Sequence, residues 1–263
     1  MDRYRTYRTD GIVLKRTAIG EADRVVTLFT KEKGMLSAIA KGSRKPTSKL
    51  AASTELLTYG RYFLAVGRNL DIITQSDIKQ AFVSIKSDTS RIAHGTYLLE
   101  LTSALLEERQ PNPDMFDLLL SALYIMESGT SPELVARYFE LQAVDLAGYR
   151  PEIERCVRCG ENAGSSDIIF SPSLGGYVCE KCGLPPGDGI SIQAETASVI
   201  KRLMSADAAS LRQMTLTTET LDEIAKIMRW HIRYRLDKDL NSIHMIDVLN
   251  QPTVGNQDSS GVG

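Results

Sequence analysis

Four cysteines in two close pairs are the residues of this sequence with the clearest chemistry. Two residues separate the cysteines of each pair, a glycine follows each pair, and nineteen residues lie between the pairs. This spacing is typical of zinc sites, because two C-x2-C turns present four soft thiolate ligands to one ion. A glycine after the pair supplies the positive φ that a tight metal-binding turn needs. The sequence therefore predicts one bound Zn2+ with the ligands Cys156, Cys159, Cys179 and Cys182.

The predicted role of this zinc is structural. Four protein ligands close the coordination sphere, whereas a catalytic zinc usually keeps one open position for water. A zinc deaminase would also need a His-x-Glu sequence and a proline directly before one pair, but Arg155 and Val178 occupy those places. Two disulfides or four buried thiols are the alternatives. No secretory signal or membrane-spanning run is found in the sequence, which favours a reducing cytosolic compartment where disulfides are rare.

A basic segment is the second candidate for chemistry. Residues 41–49 contain four basic residues and no acidic one. A flexible basic loop beside a β-surface can follow a phosphate backbone electrostatically, although a solvated surface loop is the alternative. The candidate DNA-binding residues are Lys41, Arg44, Lys45 and Lys49 in this loop, with Lys15, Arg16 and Arg24 as further positive charges.

A second basic cluster lies near the end of the sequence. Arg229 and Arg233 are four residues apart on a predicted helix, so they share a face that could contact phosphate or an acidic peptide. The alternative is a solvated face opposite the apolar stripe of Met228 and Ile232. No histidine stands near a nucleophile or carboxylate in a catalytic spacing, and the sequence therefore predicts no enzyme. The three histidines are His94, His231 and His244.

The charge of the chain is unevenly distributed. The formal net charge is -2, which taken alone argues against a partner that is a polyanion. Residues 1–80 nevertheless hold 15 Lys and Arg against 8 Asp and Glu, a net charge of +7, which leaves -9 for residues 81–263. This asymmetry indicates contact with nucleic acid by the first part and another role for the second.

The basic first part has the pattern of a small β-barrel. Short β-branched or aromatic segments alternate there with glycine-containing turns, which predicts five strands in about eighty residues. A five-stranded barrel that recurrently binds single-stranded nucleic acid is the OB-fold, and an SH3-like barrel would show the same pattern. The predicted strands are 12–16, 24–29, 35–40, 54–66 and 70–78.

From about residue 88 the apolar pattern changes to the helical period of 3.6. Asn112 and Ser131 each precede a proline and predict helix starts, and Gly148 predicts a left-handed helix end. Further helices are predicted around 97–105, 199–203 and 221–232, while 243–249 is ambiguous. The fold class is α+β: an OB-fold barrel at 1–80, then a helical domain at 81–250. A zinc element is inserted at 151–190, and residues 251–263 are predicted to be a disordered tail.

Several of these segments together resemble the bacterial recombination mediator family RecO. The resemblance covers roughly residues 6–249, with its most specific part at the amino-terminal end. It is carried by Gly11-Ile12-Val13-Leu14, Gly20-Glu21-Ala22-Asp23, Lys33-Gly34-Met35, Ala40-Lys41-Gly42-Ser43-Arg44-Lys45, the cysteine element with Gly175-Gly176-Tyr177, and Ile232-Arg233-Tyr234-Arg235.

The resemblance implies a function as well as an OB-fold, a helical domain and a zinc element. Members of the family bind single- and double-stranded DNA, anneal complementary strands, and are not covalent catalysts. With RecR they help RecA replace single-strand-binding protein, whose acidic tail is held by the helical domain in some members. The family's DNA-contacting residues map onto Lys41, Arg44, Lys45 and Lys49, and the implied location is the cytoplasm, associated with the nucleoid.

Two other function classes are alternatives to a DNA-binding mediator. A zinc-dependent hydrolase or deaminase would need an open metal position and a placed base, and the sequence provides neither. A zinc-ribbon transcription or scaffold protein would contact its partner through the ribbon. The ribbon is not basic, because Arg155, Arg158 and Lys181 are balanced by four acidic residues, Glu152, Glu154, Glu161 and Glu180.

Overall fold

The computed structural model describes residues 5–164 and 166–249, and its first five strands close a barrel. The order around the barrel is β1-β2-β3-β5-β4, with β3 and β5 parallel and the other pairs antiparallel. This strand order is that of the Greek-key barrel of an OB-fold. The predicted OB-fold is therefore confirmed, and the SH3-like alternative is wrong. The strands are β1 (Thr6–Ile19), β2 (Asp23–Thr30), β3 (Gly34–Ala40), β4 (Tyr59–Ala65) and β5 (Asp71–Gln80).

The fourth strand is shorter than predicted at its start. Residues Ala52–Thr54 form a 3-10 helical turn, and β4 begins only at Tyr59. Thr54 donates a hydrogen bond to the carbonyl of Leu50 at 2.8 Å, and the Tyr62 hydroxyl donates to the carbonyl of Ser53 at 2.7 Å. Thr54, Leu57 and Thr58 are buried, which gives this segment the composition of a strand. Within the described chain its pairing is limited to Val13 of β1, whose amide donates to the carbonyl of Thr58 at 3.0 Å and whose carbonyl accepts from the Leu57 amide at 3.2 Å.

The first strand connects the barrel to the rest of the molecule. A bulge between Val13 and Lys15 shifts the register of β1 against β2. Val13 therefore belongs to the core of the barrel, whereas Ile12 and Leu14 belong to a larger core that they share with the helices. The rings of Phe29 and Phe116 meet across this junction at 5.4 Å. Because the core is continuous, the division into two units at residue 80 stays a proposal.

Eight helices follow the barrel in the part of the chain that the structure describes. The predicted starts are confirmed, because the Asn112 side chain accepts from the Met115 amide at 3.0 Å and Ser131 caps the next helix in the same way. Gly148 has a φ of +81° and ends that helix as predicted. The helices are α1 (Val83–Lys86), α2 (Thr89–Leu105), α3 (Pro113–Glu127), α4 (Pro132–Leu146), α5 (Ala194–Ser205), α6 (Ala208–Gln213), α7 (Thr218–Leu236) and α8 (Asn241–Leu249).

The cysteine element is inserted between α4 and α5 and contains a small antiparallel sheet. Its strands are β6 (Ile168–Ser171), β7 (Gly176–Tyr177) and β8 (Ile190–Ile192), in the order β7-β6-β8. Phe170 packs edge-to-face on His231 of α7 at 5.7 Å, and the His231 Nε2 lies 2.7 Å from the carbonyl oxygen of Tyr149. The element is thereby fixed to the helical domain by buried contacts.

Two further expectations concern the carboxy-terminal tail and membrane-spanning segments. The predicted disordered tail at 251–263 lies outside the described residues. Within residues 5–164 and 166–249, no helix combines the length and the apolar character that crossing a membrane requires.

Candidate metal centre and nucleic-acid interface

The structure brings the four predicted metal ligands together. The sulfur atoms of the four cysteines all lie within 4.8 Å of one another, and the Sγ atoms of Cys159 and Cys179 are 3.6 Å apart. A tetrahedral zinc with bonds of about 2.3 Å would place its sulfurs about 3.8 Å apart. All four cysteines are free thiols, so the disulfide alternative is not what the structure forms. The geometry fits one tetrahedral ion.

The turns that carry the cysteines have the conformation that the glycines predict. Gly160 and Gly183 have φ values of +78° and +65°, and a side chain there would be strained. The Gly160 amide donates to the carbonyl of Cys156 at 2.8 Å, which closes the first turn. The Cys179 amide of the second turn donates to the Cys156 sulfur of the first turn at 3.4 Å. Local sequence thus determines each half of the centre.

The protonation of the thiols also favours a cation. The backbone amide of Cys179 lowers the pKa of Cys156 to about 6. Hydrogen bonds with Cys159 and Cys179 raise the pKa of Cys182 to about 12, because its ionised form would lie beside other thiolates. A divalent ion relieves this repulsion, and an all-sulfur donor set suits Zn2+. Since all four positions would be filled by sulfur, the centre has no place for an activated water.

The predicted basic loop leaves β3 and is exposed. Its backbone is held against the turn between β1 and β2: the Gly42 amide donates to the Asp23 carboxylate at 2.7 Å, and the Arg44 amide donates to the carbonyl of Ala22 at 2.9 Å. The Arg44 guanidinium donates to the carbonyl of Gly20 at 3.0 Å. The loop therefore has a fixed position at one end of the barrel. In the described ranges, three of its side chains are exposed and form no ion pair or hydrogen bond, namely Lys41, Lys45 and Lys49.

Lys15 extends this basic surface onto the strands. It is exposed on β1 and stands opposite Thr27 of β2, whose hydroxyl lies 3.4 Å from that of Ser37 on β3. The outer face of the second and third strands is the one that OB-folds generally use for oligonucleotides. Lys15 and the basic loop therefore border the same face.

Arg16 and Arg24 are placed differently from the lysines. Both pair with Glu55, which follows the 3-10 turn at the end of the barrel. Arg24 lies 3.0 Å from Glu55 and 3.2 Å from the Thr54 hydroxyl. Sequence reasoning missed Glu55, although it is the one acidic residue between Glu32 and Asp71 and stands beside a strongly basic segment.

Arg229 and Arg233 share one face of α7, as predicted, but they are not merely solvated. They line a groove of about 570 Å³ between α7, α8 and the ends of α2 and α4. Arg229 pairs with Asp247 of α8, and the Arg233 Nε lies 3.3 Å from the carboxylate of Asp239. Arg233 also lies over the ring of Trp230, 5.3 Å from its centroid. The rim of this groove thus carries arginines paired with aspartates beside an aromatic ring.

The floor of the groove contains a buried polar cluster that the sequence did not reveal. Glu140 accepts hydrogen bonds from the Tyr97 hydroxyl at 2.5 Å and from Arg137 at 2.7 Å. Burial raises the pKa of Glu140. In residues 5–164 and 166–249, neither the Arg137 Nε nor the Glu140 Oε2 finds a hydrogen-bond partner. In a sequence, charged residues such as Arg137 and Glu140 look like exposed helix positions. Only their spacing relative to the apolar residues of α4 could have indicated that they are buried.

The fold and these sites define an OB-fold protein with a helical domain and a four-cysteine centre. The family model described as the recombination protein O N terminal matches residues 1–82, and the model described as the recombination protein O C terminal matches residues 86–244. The chain belongs to the RecO family of DNA repair proteins. This confirms the resemblance found in the sequence.

Relatives of similar length support this assignment. A protein of Pelotomaculum thermopropionicum named DNA repair protein RecO is 33% identical over 95% of this chain and 96% of its own. A protein of the same name from Symbiobacterium thermophilum is 34% identical over 92% of this chain and 97% of its own. One from Acetivibrio thermocellus is 30% identical, covering 93% of this chain and 97% of the relative.

Proposed function

We propose that this protein is a DNA-binding mediator of recombinational repair that binds single- and double-stranded DNA and anneals complementary strands. The observation that carries the proposal is the fixed basic loop at the end of the barrel, continued by Lys15 onto the outer face of the strands. The names of the relatives as DNA repair proteins support the same conclusion.

Annealing follows from the electrostatics of such a surface. Two complementary strands repel each other because each carries one negative charge per nucleotide, and lysine side chains that neutralise phosphates reduce that repulsion. The loop lysines are exposed and lack acidic partners in the described chain, so they are available for phosphate. Base pairing then proceeds without any covalent step, and we infer that the protein is a mediator and not an enzyme.

The groove on the helical domain is the proposed site for a protein partner. Its rim carries Lys226, Arg229 and Arg233, and its walls include the apolar side chains of Ile243 and Ile246. Cationic and apolar groups side by side suit an acidic peptide with a hydrophobic residue, such as the acidic tail of single-strand-binding protein. The peptide carboxylates would take the places now held by Asp239 and Asp247.

The remaining assignments follow the family. We infer that RecR is a partner and that RecA is loaded on the DNA from which single-strand-binding protein has been displaced. The four-cysteine centre holds one structural Zn2+, whose binding energy contributes to the folding of residues 151–190. The location is the cytoplasm, on the nucleoid, and the units are a barrel at 1–80 and a helical domain at 81–250.

An annealing experiment tests the proposal. Two complementary oligonucleotides, bare or coated with single-strand-binding protein, are mixed with and without this protein, and duplex formation is followed by fluorescence energy transfer. Faster pairing in both cases is expected of a mediator. If the protein binds the strands but leaves the pairing rate unchanged, it is a passive binder, and strand cleavage that depends on zinc would instead support the hydrolase alternative.

A further inference from the structure

Glu55 lies between two arginines at the edge of the DNA-binding surface. Its carboxylate pairs with Arg16 of β1 through one oxygen and with Arg24 of β2 through the other, at 3.0 Å. The side chains of Arg16 and Glu55 are 35% and 37% exposed, whereas that of Arg24 is 18% exposed. The pair is therefore open to solvent on one side, where another anion can approach.

A third cation lies beside this cluster. Lys86 of α1 donates a hydrogen bond to the Thr58 hydroxyl at 3.0 Å and is partly buried. Burial lowers the pKa of Lys86, and the neighbouring charge of Arg16 lowers it further, while Glu55 acts in the opposite direction. The carboxylate of Glu127 also acts on Lys86, so three cations face two carboxylates, and the cluster keeps one excess positive charge that a further anion would reduce.

The cluster is continuous with the basic loop. Arg24 stands opposite Ala40 in the ladder between β2 and β3, and the next residue after Ala40 is Lys41, the first cation of the loop. We expect a strand of DNA bound by the loop lysines to extend to Arg16 and Arg24, because the loop begins beside Arg24 and its chain continues through the 3-10 turn to Glu55. In the free protein Glu55 holds both arginines at this place.

We propose that Glu55 is an intramolecular competitor of the DNA backbone: its carboxylate occupies Arg16 and Arg24 in the free protein, and a phosphodiester group takes its place in the complex. This inference rests on the proposed DNA-binding function. Exchange of one anion for another at the same arginines gains little free energy, so Glu55 limits the affinity for DNA and keeps the binding reversible. Reversible binding is what a protein that must release annealed duplex requires.

The alternative is that Glu55 only stabilises the fold. Exposed ion pairs generally contribute little to stability. The turn that carries Glu55 is also held independently, because the Thr54 hydroxyl donates to the carbonyl of Leu50 at 2.8 Å and the Tyr62 hydroxyl donates to that of Ser53 at 2.7 Å. Removal of the charge of Glu55 should therefore leave the barrel folded.

Glu55→Gln is the test, and the barrel supplies a matched control. Asp10 also pairs with two cations, Arg61 and Lys79, but on the strands β1, β4 and β5 away from the loop. Asp10→Asn therefore changes the net charge equally without freeing cations at the proposed site. Affinity for a labelled oligo-dT is measured by fluorescence anisotropy over a range of salt concentrations, and thermal melting shows that each variant is folded.

The expected result is tighter binding by Glu55→Gln alone. Both arginines contact phosphate in the native and in the variant complex, so the slope of log K against log salt should stay the same. The gain in affinity comes from two exposed ion pairs that no longer have to be broken, which corresponds to about 2- to 30-fold tighter binding. Adding Arg16→Ala to Glu55→Gln should remove part of this gain.

Four results would overturn the inference. The first is an unchanged affinity of folded Glu55→Gln, and the second is an equal gain in Asp10→Asn, which would show a long-range effect of net charge. The third is a gain in affinity that Arg16→Ala does not reduce. The fourth is a Glu55→Gln variant that does not fold, because Glu55 then has the stabilising role. Each of these leaves DNA binding by the native protein intact, whereas failure of the proposed function appears as native protein that does not bind the oligonucleotide.

Discussion

Replacing the three exposed lysines of the basic loop by alanine is the most direct perturbation of the proposed DNA-binding surface. Lys41, Lys45 and Lys49 make no ion pair or hydrogen bond with the described chain, so their loss should change the free energy of unfolding by less than about 0.5 kcal/mol. Arg44 is kept, because its guanidinium holds the turn between β1 and β2 through the carbonyl of Gly20. The variant thus separates binding from folding.

The expected loss of affinity follows from the number of phosphate contacts that the three substitutions remove. If each lysine neutralises one phosphate of a single strand, the slope of log K against log salt falls by about 2.1. At 0.1 M salt this corresponds to about 100-fold weaker binding, or about 3 kcal/mol. The loss should be similar for all base sequences, because contacts to phosphate carry no sequence information.

A salt titration of a labelled oligonucleotide, followed by fluorescence anisotropy, measures both quantities. The control removes three positive charges from the helical domain by Lys181→Ala, Lys201→Ala and Arg212→Ala, and it should change the slope little. If the loop variant keeps the native slope and affinity, or if the control weakens binding as much, then the assignment of the DNA path to this loop is wrong.

Three further predictions concern the helical domain. Freshly purified, reduced protein should contain one zinc per chain by elemental analysis, and zinc-free native protein would refute the site. The variant Cys179→Ser should lose the metal and melt at lower temperature, while its affinity for an oligonucleotide stays unchanged. Burial lowers the pKa of His231 to about 4, below its value in the unfolded chain, so native stability is full above about pH 6.5 and falls on acidification, by about 2 kcal/mol at pH 5. His94 is also buried with a lowered pKa, so denaturant unfolding should still show some loss in His231→Gln. The loss should be larger by this amount in native protein and in the exposed-site control His244→Gln, and equal pH dependence of all three would contradict the prediction. Replacing Arg229 and Arg233 by alanine should weaken the binding of an acidic peptide at least tenfold, because each arginine offers it a charge-assisted hydrogen bond. Calorimetry measures this affinity, and an unchanged value would mean that the peptide binds elsewhere.

Features that depend on neighbours in the chain could be predicted from the sequence. The C-x2-C-Gly units form their turns locally, and the structure shows both glycines with positive φ. Asn112 and Ser131 cap helices because a side-chain oxygen reaches an amide three residues later, which needs no tertiary contact. The strand predicted at 54–66 begins only at Tyr59, because the buried Thr54, Leu57 and Thr58 have the composition of a strand although they precede the β4 ladder.

The sequence by itself determined the four cysteines that come together, the order of barrel and helices, and the position of the positive charge. Only the tertiary structure decided which of the cations are free to bind phosphate. Arg24 and Glu55 are 31 residues apart and Lys31 and Asp117 are 86 residues apart, yet each pair is in contact, whereas the loop lysines have no such partner in the described residues. The physical reason is that Coulomb attraction depends on distance in space, and the distance between side chains far apart in the sequence is set by the fold.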